Sequence, residues 1–320
     1  MSKAQFKSLF QCWYPKLRHD LVPYTGGKSK LVGNIVPIIA YAIRAYLLSE
    51  YHELCGGGAH VLLHLSILRL CKENLRKQLH TRVYNDADIG MSALLYCVSK
   101  HDLWPQVRNL LLRAGVSEKV FRAAKRQLEQ GTIGEDGYDL VTAAACAYIV
   151  ARQSQIARRT SFDHTLMEPD KIKNYMEQVN NLREFHNIFA GLTVTNESVF
   201  DILERDRDWS KSIIYLDPPY HPEAMTTDDH YGKFSWTVED HERLVKLLLE
   251  RPLGKVVLSG LDNRSYKPLV EAGWRQIPLK NMQKSSSGKP GRKQKEEVWI
   301  NFDIPRELEK WVNEYVPDSE

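Results

Sequence analysis

Seven short apolar runs, each bounded by turn residues and separated by helical patterns, confine this chain to an α/β architecture built on a largely parallel sheet. The spacing predicts strands near 53–55, 82–85, 192–195, 212–216, 255–259, 275–280 and 297–301. Between the second and the third lies a long gap whose apolar periodicity is helical, over 103–114, 118–130, 139–155 and 170–188. A block of that size between sheet strands reads as an inserted helical domain. The length of 320 residues agrees, since it exceeds what one ordinary core takes up.

Composition removes several classes. An apolar fraction of 43% with 26% charged residues is that of a globular chain, neither collagenous nor disordered. The apolar stretches 35–48 and 140–150 are interrupted by Pro, Arg or Thr and are too short to span a bilayer. Residues 1–18 carry no apolar core followed by a small-residue cleavage site, so no secretory signal is expected. Cys12, Cys55, Cys71, Cys97 and Cys146 are odd in number and far apart, and read as reduced cytosolic thiols, not a disulfide frame or a zinc site. The net charge of +4 permits a polyanionic partner without requiring one. Basic residues gather at Arg152, Arg158 and Arg159 and at Lys284, Lys289, Arg292, Lys293 and Lys295, where a solvated face is the plain alternative. Segment 285–295, rich in Ser, Gly, Lys and Arg between two strand-like runs, reads as a mobile loop at the tip of a hairpin.

The most informative motif is Ile213-Ile214-Tyr215-Leu216-Asp217-Pro218-Pro219-Tyr220. A buried strand ends in a carboxylate, two prolines and an aromatic ring, at the carboxyl edge where open α/β sheets bind ligands. The prolines fix the backbone and leave carbonyls without neighbouring amide competitors. An exocyclic amine on a nucleobase is a poor nucleophile because its lone pair is delocalised into the ring. Asp217 and the Pro218 carbonyl, accepting both of its N–H groups, would turn that lone pair toward an electrophile and stabilise the positive charge that grows on nitrogen. Tyr220 would stack on the base.

Two further segments surround that motif. Glu53-Leu54-Cys55-Gly56-Gly57-Gly58-Ala59 sits where the first strand turns into a helix over 61–72, and its glycines permit close approach of a ligand. It departs from the dinucleotide fingerprint, whose third glycine is Val61 here. Tyr84-Asn85-Asp86-Ala87-Asp88 ends the second strand, where an acid is placed to accept from ribose hydroxyls; for Asp88 a helix N-cap is the alternative. Tyr24-Thr25-Gly26-Gly27-Lys28-Ser29 invites a phosphate-loop reading that its spacing refutes, because the first glycine of such a loop is replaced by Val22.

Taken in this order, the segments resemble the Dam-type (D12 class, class alpha) DNA adenine N6-methyltransferases, which carry a Gly-Gly-Lys segment, a glycine turn, a helical recognition insertion and Asp-Pro-Pro-Tyr. The resemblance runs over about residues 21 to 303. It implies a Rossmann-like methyltransferase sandwich in which S-adenosylmethionine lies across the strand ends. By that likeness 20–96 is the first part of the catalytic domain, 97–187 the target-recognition insertion, and 188–303 the second part of the catalytic domain. The likeness gives Tyr24, Gly27 and Lys28 to the methionine end of the cofactor, Glu53, Gly56 and Gly58 to its turn, and Asp86 to its ribose, with Asp217 in contact as well. Asp217, Pro218, Pro219 and Tyr220 match the catalytic motif. Glu53-Leu54-Cys55 departs from the Glu-Pro-Phe usual in the family, and residues 153–164 match its basic recognition segment only loosely.

The expected reaction is therefore methyl transfer from S-adenosylmethionine to the N6 amine of an adenine flipped out of double-stranded DNA. Arg158, Arg159, Lys289, Arg292 and Lys293 are expected on DNA phosphates or base edges. Chain and setting are expected to be a monomer in the cytoplasm of a bacterium, or phage-encoded, with no membrane. No metal is expected, since His221 and His230 share no ligand spacing. Tyr231, Phe234 and Trp236 form an aromatic-rich stretch that either closes over the flipped base or simply packs. The rival readings are methylation of an amine in RNA or protein, and a DNA-binding relative without turnover.

Overall fold

The computed structural model describes residues 19–24, 26–133, 138–155, 159–224, 232–279 and 296–314. Cys12, Arg158, His230, Tyr231, Lys289, Arg292 and Lys293, with the whole of 280–295, lie outside the described residues.

Among the described residues, seven strands form one sheet: β1 (Glu50–Glu53), β2 (Thr81–Asn85), β3 (Thr193–Thr195), β4 (Ser212–Leu216), β5 (Lys255–Leu261), β6 (Arg275–Pro278) and β7 (Glu296–Ile300). Their order is β3-β2-β1-β4-β5-β7-β6. The first five pair in parallel, and β7 slots antiparallel between β5 and β6. Because the chain winds outward from β1 in one direction and from β4 in the other, the crevice at their carboxyl ends is the topological switch point where such sheets bind ligands.

Side chains alternate across the sheet as strand geometry demands. Ile213, Tyr215, Val257, Val298 and Ile300 enter one core, which includes the helices Val32–Ala45, His60–Cys71, Ile89–Ser99 and Leu140–Gln153. Ile214, Leu216, Val256, Leu258 and Trp299 enter the other, with the helices Val199–Glu204 and Val238–Glu250. Both faces are thus covered, which is why the strands read as continuous apolar runs. Val107, Leu111, Phe121, Tyr148 and Val179, from the helical block, continue the first core.

Most predicted elements lie within a few residues of the observed ones. One expected helix, 170–188, is two: Pro169–Asn180 and Leu182–Phe189. At Asn181 the backbone flattens to φ −74°, ψ −1°, and the second helix is redirected so that Leu182, Phe185, Ile188 and Phe189 are all buried. The expectation for the cysteines is also corrected in part: Cys71 is disulfide-bonded, whereas Cys55, Cys97 and Cys146 are free thiols.

Candidate active site

After β1 the chain turns sharply into the helix His60–Cys71. A Cβ on Gly56 would stand 2.1 Å from the Tyr84 ring, and Gly57 has φ +47°, so the tightness of this turn excludes larger residues. Tyr84 locks it from the next strand by donating its hydroxyl to the Gly57 carbonyl at 2.8 Å. Glu53, 2% exposed, accepts from the Tyr51 hydroxyl. Burial pushes its carboxyl up to about 8, against the opposing pull of that hydrogen bond.

Asp86 follows β2 and is held entirely by backbone. Its Oδ2 accepts from Gly57 N at 2.7 Å and its Oδ1 from Asp88 N at 2.8 Å. Burial, with the charge of Asp88 adding to it, pushes Asp86 up to about 6. Asp88 is indeed an N-cap: its Oδ1 accepts from Gly90 N and Met91 N at the head of the helix Ile89–Ser99.

Asp217 follows β4, the central strand. Its Oδ1 meets Lys28 Nζ at 2.7 Å and accepts from Ser259 Oγ at 2.9 Å. Ser259 stands on the adjacent β5 and is in turn 2.9 Å from the Tyr215 hydroxyl, so a buried chain of hydroxyls backs the carboxylate. Burial pushes the Asp217 carboxyl above its ordinary value, and Lys28 pulls it back. For Lys28, 4% exposed, burial acts against the charge, but the carboxylates of Asp217 and Glu296 outweigh it and hold the ammonium well above the usual lysine range. The same ammonium donates to the Gly26 carbonyl at 3.1 Å and lies 5.0 Å from the centroid of the Tyr220 ring. Tyr220 is fixed by its hydroxyl, which donates to Glu296 at the start of β7.

Several of these groups surround one cavity of about 230 Å³, and Tyr220 is not among its lining residues. Tyr24, Gly27, Lys28, Glu53, Gly56 and Gly58 line it, and so do Asp86, Asp217 and Pro219. Pro218 is buried behind the wall. Lys28, besides lining the cavity, reaches Asp217. Arg159 stands apart from DNA-facing expectations, its Nη1 2.5 Å from Asp88 Oδ2 and its guanidinium 4.7 Å over the Tyr24 ring. Phe234 and Trp236 line the cavity, and the Trp236 ring also lies tilted against Phe200, with 5.1 Å between centroids.

Three contributors escaped the sequence reading. Ser259 was visible as a lone hydroxyl in the apolar run Val256-Val257-Leu258-Ser259, next to the Asp217 strand. Glu197 to Phe200 line the opposite wall, where β3 ends, and the rule that placed Asp86 and Asp217 at strand ends applies to them equally. His60, bonded to Asp20 at 3.2 Å, packs under Gly27 and Gly58 and carried no local signal.

Among the described residues, no group of three or more His, Cys, Asp or Glu side chains could hold a metal ion, and no helix is long and apolar enough to cross a membrane. No curated protein matches the chain. Residues 152–282 match the family model described as D12 class N6 adenine-specific DNA methyltransferase. That stretch runs from the end of the helix Leu140–Gln153 through β3, β4, Asp217 and β5 to beyond β6. By this match, residues 152–282, carried on a sheet of the methyltransferase kind, are similar to the D12 class N6 adenine-specific DNA methyltransferases, enzymes that act on adenine in DNA.

Proposed function

We propose that this enzyme transfers the methyl group of S-adenosylmethionine to the N6 amine of a single adenine flipped out of duplex DNA at a specific site. The observation that carries the reading is Asp217, at the end of the central strand, sharing one cavity with the glycine turn after β1. The cavity suits the donor. Gly56 and Gly57 form a cradle that a Cβ would fill. Asp86 and Asp217 are carboxylates suited to hydroxyls and to cationic groups, Glu53, which keeps its proton at neutral pH, can donate as well as accept, and Val199, Phe200 and Trp236 provide apolar wall for a ring. Tyr24, Gly27 and Lys28 belong to the methionine end, Glu53, Gly56 and Gly58 to the turn, and Asp86 to the ribose. When bound, S-adenosylmethionine supplies a methyl group on positively charged sulfur, open to in-line displacement.

The chain's own residues then prepare the amine. Asp217 accepts one amino hydrogen and the Pro218 carbonyl the other, while Pro219 holds the turn rigid and Tyr220 stacks on the base. Stacking offsets part of the few kcal/mol that unpairing costs. Lys28 now covers both Asp217 and the Tyr220 ring, so an entering base displaces the ammonium and takes over its two contacts. The raised carboxyl of Asp217 also fits it to receive the proton that the nitrogen must lose. Residues 97–187 are read as the recognition insertion between the catalytic parts 20–96 and 188–303. Arg158, Lys289, Arg292 and Lys293 are read as the DNA grip, and the enzyme as a monomer without metal.

Labelled S-adenosylmethionine offered with duplex DNA, RNA or protein tests the reading. Label appearing as N6-methyladenine in duplex DNA at one sequence is the expected result, and label in RNA or protein alone overturns it.

A further inference from the structure

Arg159 does not line the cavity but reaches the back of its wall, at Tyr24, and Asp88 beside it. The loop that leaves the helix Leu140–Gln153 doubles back, with Gln155 N donating to Ser161 O and Asp163 N to Gln153 O, both at 2.9 Å, and with Ser154 and Phe162 forming an antiparallel bridge. Lys125, on a neighbouring helix, donates to the Thr160 carbonyl at 3.1 Å and pins the loop. Within it Arg159 takes φ +57°, a left-handed conformation that a long side chain rarely adopts. Such a conformation persists where surrounding contacts fix it.

Those contacts lead inward. The ion pair of Arg159 with Asp88 is largely buried, the two side chains being 24% and 11% exposed. Asp88 presents its N–H to Asp86, and Asp86 and Tyr24 are themselves cavity wall. One guanidinium side thus braces an aromatic wall residue, and the other braces the acid that orients a second wall residue. Arg159 Nη2 is buried with no hydrogen-bond partner among the described residues, a donor left over once Asp88 is served.

We infer that Arg159 is a positioning residue of the cofactor cavity, acting through Tyr24 and the Asp88–Asp86 pair, and not a DNA phosphate contact. This rests on the S-adenosylmethionine reading above. It makes Arg159 a support of the cofactor site, so that the wall of that site is braced from the same segment that the family likeness assigns to DNA.

The test uses the full chain and the variants Arg159→Gln, Arg159→Lys and Asp88→Asn, with S-adenosylhomocysteine as the probe. Probe affinity is measured by calorimetry without DNA, and duplex affinity across a salt series without probe. Arg159→Gln is expected to weaken probe binding about tenfold, with Arg159→Lys restoring part of it. Asp88→Asn, which keeps an oxygen for the helix cap but surrenders the charge, is expected to lose a similar factor. The slope of log affinity for DNA against log salt stays as in the unaltered chain. Probe affinity within about twofold of the unaltered chain in Arg159→Gln overturns the inference, as does a salt slope shallower by about one with probe affinity retained. If a thermal scan shows Arg159→Gln unfolded, Asp88→Asn decides by the same criterion. Failure of the unaltered chain to bind the probe overturns the cofactor reading itself, whereas normal binding with insensitive variants overturns only the role of Arg159.

Discussion

The two acids at the ends of the cavity are held in opposite ways. Asp86 is bonded by the backbone N–H groups of Gly57 and Asp88, which cannot withdraw without unmaking the glycine turn and a helix start. Asp217 is bonded by side chains, the Lys28 ammonium and the Ser259 hydroxyl. Backbone partners give a preformed site for a ligand of constant shape. Side-chain partners can swing away, which suits the proposed reading, in which this position is vacated for each incoming base and reoccupied after each product leaves.

That contrast can be broken in four places. The largest effect is expected from Asp217→Ala, which should lower the methyl-transfer rate by about 10²–10³ or more while the circular-dichroism spectrum is unchanged. Transfer at an undiminished rate would show that the exchangeable end is not where the chemistry occurs. Next comes the rigid end. Gly56→Ala puts a methyl group 2.1 Å from the Tyr84 ring, and should cost about 1–3 kcal/mol, read as a lower melting temperature. An unchanged melt would mean that the turn yields more easily than its geometry implies.

Ser259→Ala should have a smaller effect, because it removes one neutral partner of Asp217 and leaves Lys28 in place. The expected loss is about fivefold in turnover with little change in cofactor affinity; equal losses in both would make Ser259 a structural support only. The fourth prediction concerns pH. Glu53 keeps its proton up to about 8 in the folded protein, against an ordinary value of 4.5. Between those values the folded chain binds more protons than the unfolded one, so stability falls as pH rises through that window. The melting temperature of ligand-free protein should therefore decline from about pH 5 to 8, and Glu53→Gln should flatten the decline. Parallel curves for the two proteins would remove Glu53 as the source.

What the sequence disclosed follows from how local each signal is. Six of the strands were legible because apolar runs such as Ile213-Ile214-Tyr215-Leu216 end abruptly in turn residues, whereas β1, expected at 53–55, runs over Glu50–Glu53, where polar residues interrupt the apolar signal. The break at Asn181 was not legible, since neither Pro nor Gly marks it and the apolar period continues across it; only packing of Phe185 and Phe189 reveals the new direction. Lys28 and Arg159 were both recognised as important cations, yet their partners, Asp217 and Asp88, lie far along the chain. Long side chains declare their charge in the sequence but not the direction in which they reach. The disulfide at Cys71 likewise escaped a reading that rested on spacing alone.

The antiparallel placement of β7 has a consequence for how the chain tolerates insertion. The chain leaves the sheet after Leu279 and re-enters at Glu296, and these two residues are hydrogen-bonded at 2.8 Å. Both feet of the intervening segment therefore stand together beside Tyr220, which Glu296 anchors. Doubling the length of such a closed excursion costs only about 0.6 kcal/mol. Two feet pinned to each other keep Tyr220 anchored whatever length of chain joins them, so insertions there need not disturb the sheet edge.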